Sequence, residues 1–384
     1  MTEASKRTIQ ISLPSTGEEE WQACRAPLMS GWLTQGPQVG AFERAFADRH
    51  GVEHALAVTS CTTGLHLILA AMGIGPGDEV IVPAFTWVAT ANVVLYCGAT
   101  PVFADVDPAT YNIDPASAAA VVTGRTKAVI AVHLFGLCAE MDELRAALPS
   151  HIAIIEDAAC AAGAEYKGVA AGGLGLAASF SFHPRKSITT GEGGMVTTQD
   201  GELAEIANML RNHGASISEE QRHAGPRPYR LPEFNLLGFN YRMTDIQGAV
   251  GLVQLGKLDS FIDERQRWAE HYCSELSHLQ WLRMPPMPKE GRHAWQAFVT
   301  YVDPDTAPAA RNDLMEKLQA RGIATRPGTH AVHMLGLYAD RYGIAPEDFQ
   351  GAKACDENTM AIPLHNRMSP EDYSYVIEAL KGLS

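Results

Sequence analysis

The sequence predicts an α/β fold: a large domain with a mostly parallel mixed sheet sandwiched by helices, then a smaller α+β C-terminal domain. Three observations carry this. Runs such as Glu79 to Val82, Lys127 to His133 and Ile152 to Ile155 are almost continuously apolar, as strands buried on both faces must be. Stretches of helical spacing separate them, the pattern of parallel strands joined by crossover helices. Past a proline-rich boundary at Arg283 to Gly291 the elements become shorter and more mixed. Residues 1–250 are expected to form the large domain with an N-terminal arm. Residues 251–384 would hold a linking helix and the small domain.

The elements follow in order. After an arm containing Trp21 and Trp32, Val39 to Arg49 spaces Val39, Phe42 and Phe46 along one helical face. Ala55 to Val58 is a short strand, and a helix is expected from Leu65 to Met72. Between them lies Thr59-Ser60-Cys61-Thr62-Thr63-Gly64. A strand, small hydroxyl residues and then a helix can aim free N–H groups at an anion. Plain helix capping by Ser or Thr produces the same pattern. Glu79 to Val82 ends at Pro83, and Ala84-Phe85-Thr86-Trp87 is expected to open a helix reaching Tyr96. Strands follow at Thr100 to Val106, Lys127 to His133 and Ile152 to Ile155, with a helix near Met141 to Leu148. Strands at Ala178 to Phe182 and Met195 to Thr198 flank Lys186. Glu202 to Asn212 reads as a helix and Ser216 to Leu236 as a long polar loop. Thr244 and Gln247 form a capping-box pattern ahead of an amphipathic run to about Leu279. The C-terminal part offers strands at Ala297 to Val302 and Ile323 to Arg326. It also offers helices from Arg311 to Arg321 and from Ser369-Pro370-Glu371 onward.

The bulk properties exclude several classes. The chain has 384 residues, 46% hydrophobic and 19% charged, and a net charge of -14. That balance and the absence of a basic stripe argue against a nucleic-acid partner. No apolar run reaches the roughly 18 residues of a membrane span, and the first residues lack a signal-peptide core. Seven scattered cysteines with no C-x-x-C pair read as reduced thiols, which fits a cytoplasmic protein without a disulfide frame or metal site.

Ligands of parallel sheets bind at the carboxyl ends of the strands. Asp157, His133, Lys186 and the 60–64 segment all fall there. Lys186 sits in Ser179-Phe180-Ser181-Phe182-His183-Pro184-Arg185-Lys186-Ser187-Ile188-Thr189-Thr190-Gly191-Glu192-Gly193-Gly194-Met195. A desolvated amine can form a Schiff base, and the three glycines let the backbone pass close to a ligand.

With these strings in view the chain resembles the nucleotide-sugar aminotransferases, the DegT/StrS group of fold-type-I pyridoxal phosphate (PLP) enzymes. The resemblance runs through P-A-F-T-W-V-A-T, E-D-A-A, H-P-R-K-S-I-T-T-G-E-G-G, G-F-N-Y-R-M-T-D-I-Q, T-R-P-G-T-H and I-P-L-H-N-R-M-S, nearly the whole chain. It implies that Lys186 holds PLP covalently and later shuttles a proton. Asp157 would pair with the pyridine nitrogen, whose proton makes the ring an electron acceptor. Trp87 would stack on the ring. Thr62 and Thr63, mainly through backbone N–H groups, and Ser181 would hold the phosphate. Asn240 would reach the phosphate of a neighbouring subunit, making a homodimer with shared sites. His330 falls where the family has a histidine near the substrate, although a surface histidine reads the same way. Where the family usually has glutamine or histidine against the cofactor's phenolic oxygen, this chain has Cys160, a weak donor.

The implied activity is transfer of an amino group from L-glutamate to a nucleotide-linked keto-sugar. Two alternatives share these residues: amination of a keto-cyclitol, as in aminoglycoside synthesis, and a PLP-binding regulator without turnover.

Overall fold

The computed structural model describes residues 7–217, 222–223, 225–288 and 290–383. Seven strands form the central sheet. They are β1 (His54–Val58), β2 (Glu79–Pro83), β3 (Thr100–Ala104), β4 (Thr126–Val132), β5 (Ala153–Asp157), β6 (Ala177–Ser181) and β7 (Gly194–Thr198). Their spatial order is β1-β7-β6-β5-β4-β2-β3. Neighbours from β6 to β3 pair in parallel, whereas β7 runs antiparallel to both β6 and β1. The sheet is therefore mixed but mostly parallel. Because β7 returns beside β6, the 182–193 loop that carries Lys186 lies at the carboxyl edge of the parallel strands.

Both faces are covered. Val80 and Val82 pack with Leu65, Leu67 and Ile130 on one side, while Ile81 packs with Val39, Phe42, Phe46 and Val129 on the other. Burial of this kind stabilises by roughly 25 cal/mol per Å² of apolar surface, which is why the strands carry no polar alternation. A third core joins Tyr272, Trp281, Leu314, Ile323 and Tyr373, with Ile9 added from the N-terminal arm. It covers an antiparallel sheet of Leu282–Arg283, Phe298–Val302 and Thr359–Ile362.

Helix α1 (Pro37–His50) crosses the long helix α2 (Asp245–Leu276) closely. A Cβ on Gly251 would stand 2.5 Å from the Phe42 ring, so only glycine admits the approach. At the same crossing Asp245 Oδ1 accepts the Val39 N–H at 2.9 Å. The capping box of Thr244 and Gln247 starts α2 as the sequence indicates. Leu258 and Ile262 of this helix pack under the large sheet, and Ala269, Tyr272 and Leu276 in the C-terminal core. We propose that the large and small domains of the sequence reading meet along it.

Three expectations change. Cys61–Ala71 is helical from its first residue, because Ser60 caps it, so Cys61 to Gly64 belong to the helix and not to a loop. Phe85–Thr86 is a short strand paired with His330–Ala331, and the helix begins only at Ala89. Ile323 to Arg326 is not a strand. Ile323 bridges Ile9 and Arg326 bridges Ala361, so this stretch pairs at isolated points with two different segments. Of the expected 216–236 loop, residues 218–221 and 224 lie outside the described residues; its base is closed by Ser216 N–H to Glu233 O at 2.9 Å.

Burial dictates an acid response. His50 is stacked on Phe46, and its Nδ1 donates to the Phe46 carbonyl at 3.0 Å. Burial pushes it down to about 4. Folded His50 stays neutral while the unfolded chain takes a proton below its ordinary value near 6.5. Its stabilising contribution is complete above that value and is lost as pH falls toward 4. Between pH 6 and 5 the protein should lose about 1 kcal/mol more than a His50→Phe variant, as read by urea unfolding. Equal losses would show that the ring is not held neutral.

Candidate active site

A cavity of about 540 Å³ opens at the carboxyl edge of the sheet. Lys186 enters it from the loop between β6 and β7. The base of that loop is closed by Phe182 N–H to Gly193 O (2.9 Å), Thr190 N–H to Phe182 O (3.0 Å) and Thr189 Oγ1 to Phe182 O (2.8 Å). A turn, Lys186 N–H to His183 O at 2.9 Å, aims the side chain inward. Its Nζ ends 3.2 Å from Cys160 Sγ.

Asp157 is the last residue of β5 and is 5% exposed. Thr90 Oγ1 donates to its Oδ2 at 2.8 Å, and the Ala159 N–H donates to its Oδ1 at 3.2 Å. The carboxylate is thus oriented, with lone pairs left over for a ligand. Glu156, one residue earlier, points to the opposite face, as strand alternation requires. It is fully buried. Its Oε2 accepts from His133 Nε2 (2.9 Å) and the Gly172 N–H (2.7 Å), its Oε1 from the N–H groups of Leu174 (2.8 Å) and Gly175 (2.7 Å). Since His133 Nδ1 already accepts the Ala139 N–H, Nε2 carries the proton.

The third wall is the start of the Cys61–Ala71 helix. Its capping box occupies the N–H groups of Ser60 and Thr63, at 3.0 and 3.1 Å. The N–H groups of Cys61 and Thr62 are left without an intrahelical acceptor, as for any helix start. Gly194 brings β7 against this turn. A Cβ there would lie 2.5 Å from Ser60 C and 2.7 Å from Cys61 N. At the mouth, the rings of Trp87 and His330 stand 5.6 Å apart. The pairing of Phe85–Thr86 with His330–Ala331 sets this contact.

Of the residues singled out in the sequence, Thr62, Trp87, Asp157, Cys160, Ser181, Lys186 and His330 all line this cavity. Thr63 does not; its hydroxyl and N–H both serve the cap. Asn240 does not either. It is exposed, bridged to Asn212, on a segment outside the cavity of its own chain. Sequence reasoning passed over Thr90, which braces Asp157 from outside the lining, and Gln296, Arg185 and Arg326 of the wall. Thr90, Arg185 and Arg326 were within quoted strings, and only the folded chain turns their side chains to the site. Among the described residues no cluster of three or more metal-ligating side chains occurs.

An amine, a braced carboxylate and an anion-ready turn around one cavity define an enzyme of amino-group chemistry. Comparison with known proteins makes this specific. The chain matches the DegT/DnrJ/EryC1/StrS aminotransferase family over residues 14–381. It belongs to that family and is a PLP-dependent aminotransferase. It is 42% identical to GDP-perosamine synthase of Caulobacter vibrioides over 375 residues, 97% of each chain. It is 40% identical to the spore coat polysaccharide biosynthesis protein SpsC of Bacillus subtilis, over 100% of this chain and 99% of that one. Among solved structures, the PMP form of the putative sugar aminotransferase Spr1654 from Streptococcus pneumoniae superposes with a TM-score of 0.92. It is 28% identical, over 98% of this chain and 99% of that one. The fold is accordingly that of the PLP-type aminotransferases, a mostly parallel mixed sheet flanked by helices. The residues present fit the cofactor. The turn that Gly194 alone can abut leaves two N–H groups for a phosphate, and the donor set includes both a primary amine and a hydrogen-bonded carboxylate.

Two outcomes follow from the geometry. Gly194→Ala should cost about 1–3 kcal/mol of unfolding free energy, because Cβ meets backbone that cannot yield, and should weaken PLP retention measured by dialysis. Unchanged stability and retention would mean the turn is not tightly abutted. Glu156→Gln is isosteric but places an NH₂ against two N–H donors, so it should destabilise by about 1–3 kcal/mol in urea. A neutral result would mean that the four bonds are not made.

Proposed function

We propose that the protein moves the amino group of L-glutamate onto a nucleotide-linked keto-sugar in the cytoplasm, as a homodimer with shared sites. The observation that carries this reading is the convergence of Lys186 and Asp157 on one cavity whose remaining wall is an anion-ready helix start. The names of the relatives support a sugar acceptor, GDP-perosamine synthase above all. All seven cysteines carry free thiols, and no helix among the described residues is long and apolar enough to cross a membrane.

When bound, PLP supplies a carbonyl for amines to join and a ring that takes up the electron pair of a breaking C–H bond. The protein's own groups do the rest. Lys186 Nζ, held near Cys160 when free, takes the proton from the donor's α-carbon and returns one to the acceptor carbon. Asp157 keeps a proton on the ring nitrogen through a charge-assisted hydrogen bond, and Thr90 keeps the carboxylate in place. Thr62 and Ser181 hold phosphate. Trp87 covers the ring, Cys160 contributes a weak contact, and His330 at the mouth faces the sugar. Thr63 acts through the cap it forms for that turn. Asn240 reaches the phosphate of the partner's site. Its exposure supports this, as does the run of exposed apolar side chains on the same segment: Tyr229, Leu231, Phe234 and Leu237, the last 92% exposed. Such a run fits a surface that a second copy covers.

The purified protein should be yellow with PLP, and borohydride should fix the cofactor on Lys186 and not on the Lys186→Ala chain, as read by peptide mass. Label on another lysine would overturn the assignment. Given glutamate alone, it should form no more than one 2-oxoglutarate per site, and turnover beyond that should require a nucleotide-linked 3- or 4-keto sugar. Turnover with a keto-cyclitol alone would overturn the acceptor. Mixing Lys186→Ala with Asn240→Ala chains, each inactive, should restore part of the activity through hybrid sites. A fully active monomer at dilution would sink the shared site.

A further inference from the structure

Two nucleophiles of the cavity stand in contact, and the proposed reaction uses only one of them for bond-making. The Lys186 amine donates to Cys160 Sγ at 3.2 Å, within the roughly 3–3.5 Å at which oriented groups react. Both side chains rise from fixed turns. Cys160 lies in the turn after β5 that Ala161 N–H to Ala158 O closes at 2.9 Å, and Lys186 N–H binds His183 O at 2.9 Å. A bond between the two side chains therefore needs no rearrangement of the backbone. Access then separates Cys160 from its neighbour thiol. Cys160 is half-buried on the wall of the 540 Å³ cavity. Cys61 lines the same cavity but is buried, and its thiol donates to Ser179 O at 3.3 Å. Burial first and the charge of Asp157 second push the Cys61 thiol well above its ordinary range, so it keeps its proton and reacts poorly.

We propose that Cys160 and Lys186 form a reversible covalent redox pair, closed by a hydroperoxide whenever Lys186 does not carry the cofactor. The peroxide transfers one oxygen to the Cys160 thiol. Sulfur loses two electrons, the O–O bond breaks, and the peroxide leaves as alcohol or water. The nitrogen lone pair of Lys186 then attacks that sulfur. An S–N bond forms, the S–O bond breaks, and the hydroxyl departs with an amine proton as water, giving a sulfenamide. Two equivalents of a reducing thiol reopen it, releasing the amine and the Cys160 thiol and leaving as a disulfide. Closure takes from Lys186 the nitrogen that holds PLP and moves the proton, so the closed enzyme is inactive. A lysine already joined to the cofactor offers no free amine and is spared. The vulnerable states are the cofactor-free chain and the enzyme that has reacted with donor and received no acceptor.

That consequence rests on the proposed role of Lys186; the bond itself does not, and its readout is mass. The full chain is treated with hydrogen peroxide in three states: PLP-loaded, PLP-loaded and then given glutamate alone, and freed of cofactor. Remaining thiols are alkylated and the peptides weighed. The second and third states should yield the Cys160 and Lys186 peptides joined, about 2 Da lighter than their sum. The PLP-loaded state should yield them apart. Dithiothreitol should release the link and let the cofactor-free chain regain PLP absorption. Cys61→Ser should still form the link, whereas Cys160→Ser should not, and peroxide should leave PLP uptake by Cys160→Ser unchanged. Peptides that are never joined overturn the inference, as does a Cys61–Cys160 disulfide in place of the S–N bond. So does Cys160 carried to sulfinic acid with Lys186 free. Equal linkage in all three states overturns it where borohydride has fixed PLP on Lys186. With the label on another lysine, linkage keeps the pair and overturns only the proposed role of Lys186. If glutamate yields no 2-oxoglutarate and the second state stays unlinked, the donor reading fails, and the cofactor-free chain alone decides the pair.

Discussion

The site depends on one buried carboxylate that takes no part in the chemistry. Glu156 accepts four N–H donors from two separate segments, the His133 ring and the 172–175 turn, all at 2.7 to 2.9 Å. A fully buried charge is tolerable only when its lone pairs are satisfied in this way. The consequence is geometric. With Glu156 fixed beneath the sheet edge, strand alternation leaves Asp157 no choice but the cavity face. Thr90 and the Ala159 N–H then set the rotation of its carboxylate. The strand tip is pinned from one face so that the other can be functional.

Charge is distributed on the same logic. The chain as a whole is strongly acidic, at -14, yet the cavity wall gathers Lys186, Arg185 and Arg326. The cofactor's phosphate is an anion, as are the glutamate and nucleotide-linked sugar of the proposed reaction. Over a Debye length of about 8 Å at physiological salt, local groups outweigh the distant net charge. Net charge therefore excludes partners such as nucleic acid and says little about the pocket.

The legibility of the sequence varied with the range of the interactions involved. The buried strands of the large sheet, the capping box at Thr244 and the helix start at Ser369-Pro370 were readable because each depends on its own residues and near neighbours. The order of the strands was not, since β7 inserts between β1 and β6 through contacts far apart in the chain. The same reason explains Phe85–Thr86. Their local pattern suits a helix start, but pairing with His330–Ala331, some 245 residues away, overrides it. Lys186 and Asp157 stood out because strand ends and a glycine-rich loop mark them locally. Arg326 sat unremarked in T-R-P-G-T-H, as only the folded chain brings it to the cavity that Lys186 lines.

Cys160 shows how such a site keeps opposite charges from cancelling. A lysine and an aspartate in one cavity would attract, and a direct pair would commit both to each other. Here Lys186 and Asp157 form no ion pair with each other. Asp157 is held back by a hydroxyl and a backbone N–H, and the Lys186 amine rests 3.2 Å from a thiol. A thiol is a weak partner, worth less than the carboxylate or amide that could occupy the same place. The amine is thus located without being tied down, and the carboxylate is oriented without being neutralised. In the proposed reaction each then serves a different atom of the same cofactor, the amine its carbonyl and the carboxylate its ring nitrogen. On that reading, cysteine in place of the glutamine or histidine that the resemblance implies weakens one neutral contact and preserves the separation on which the proposed chemistry rests.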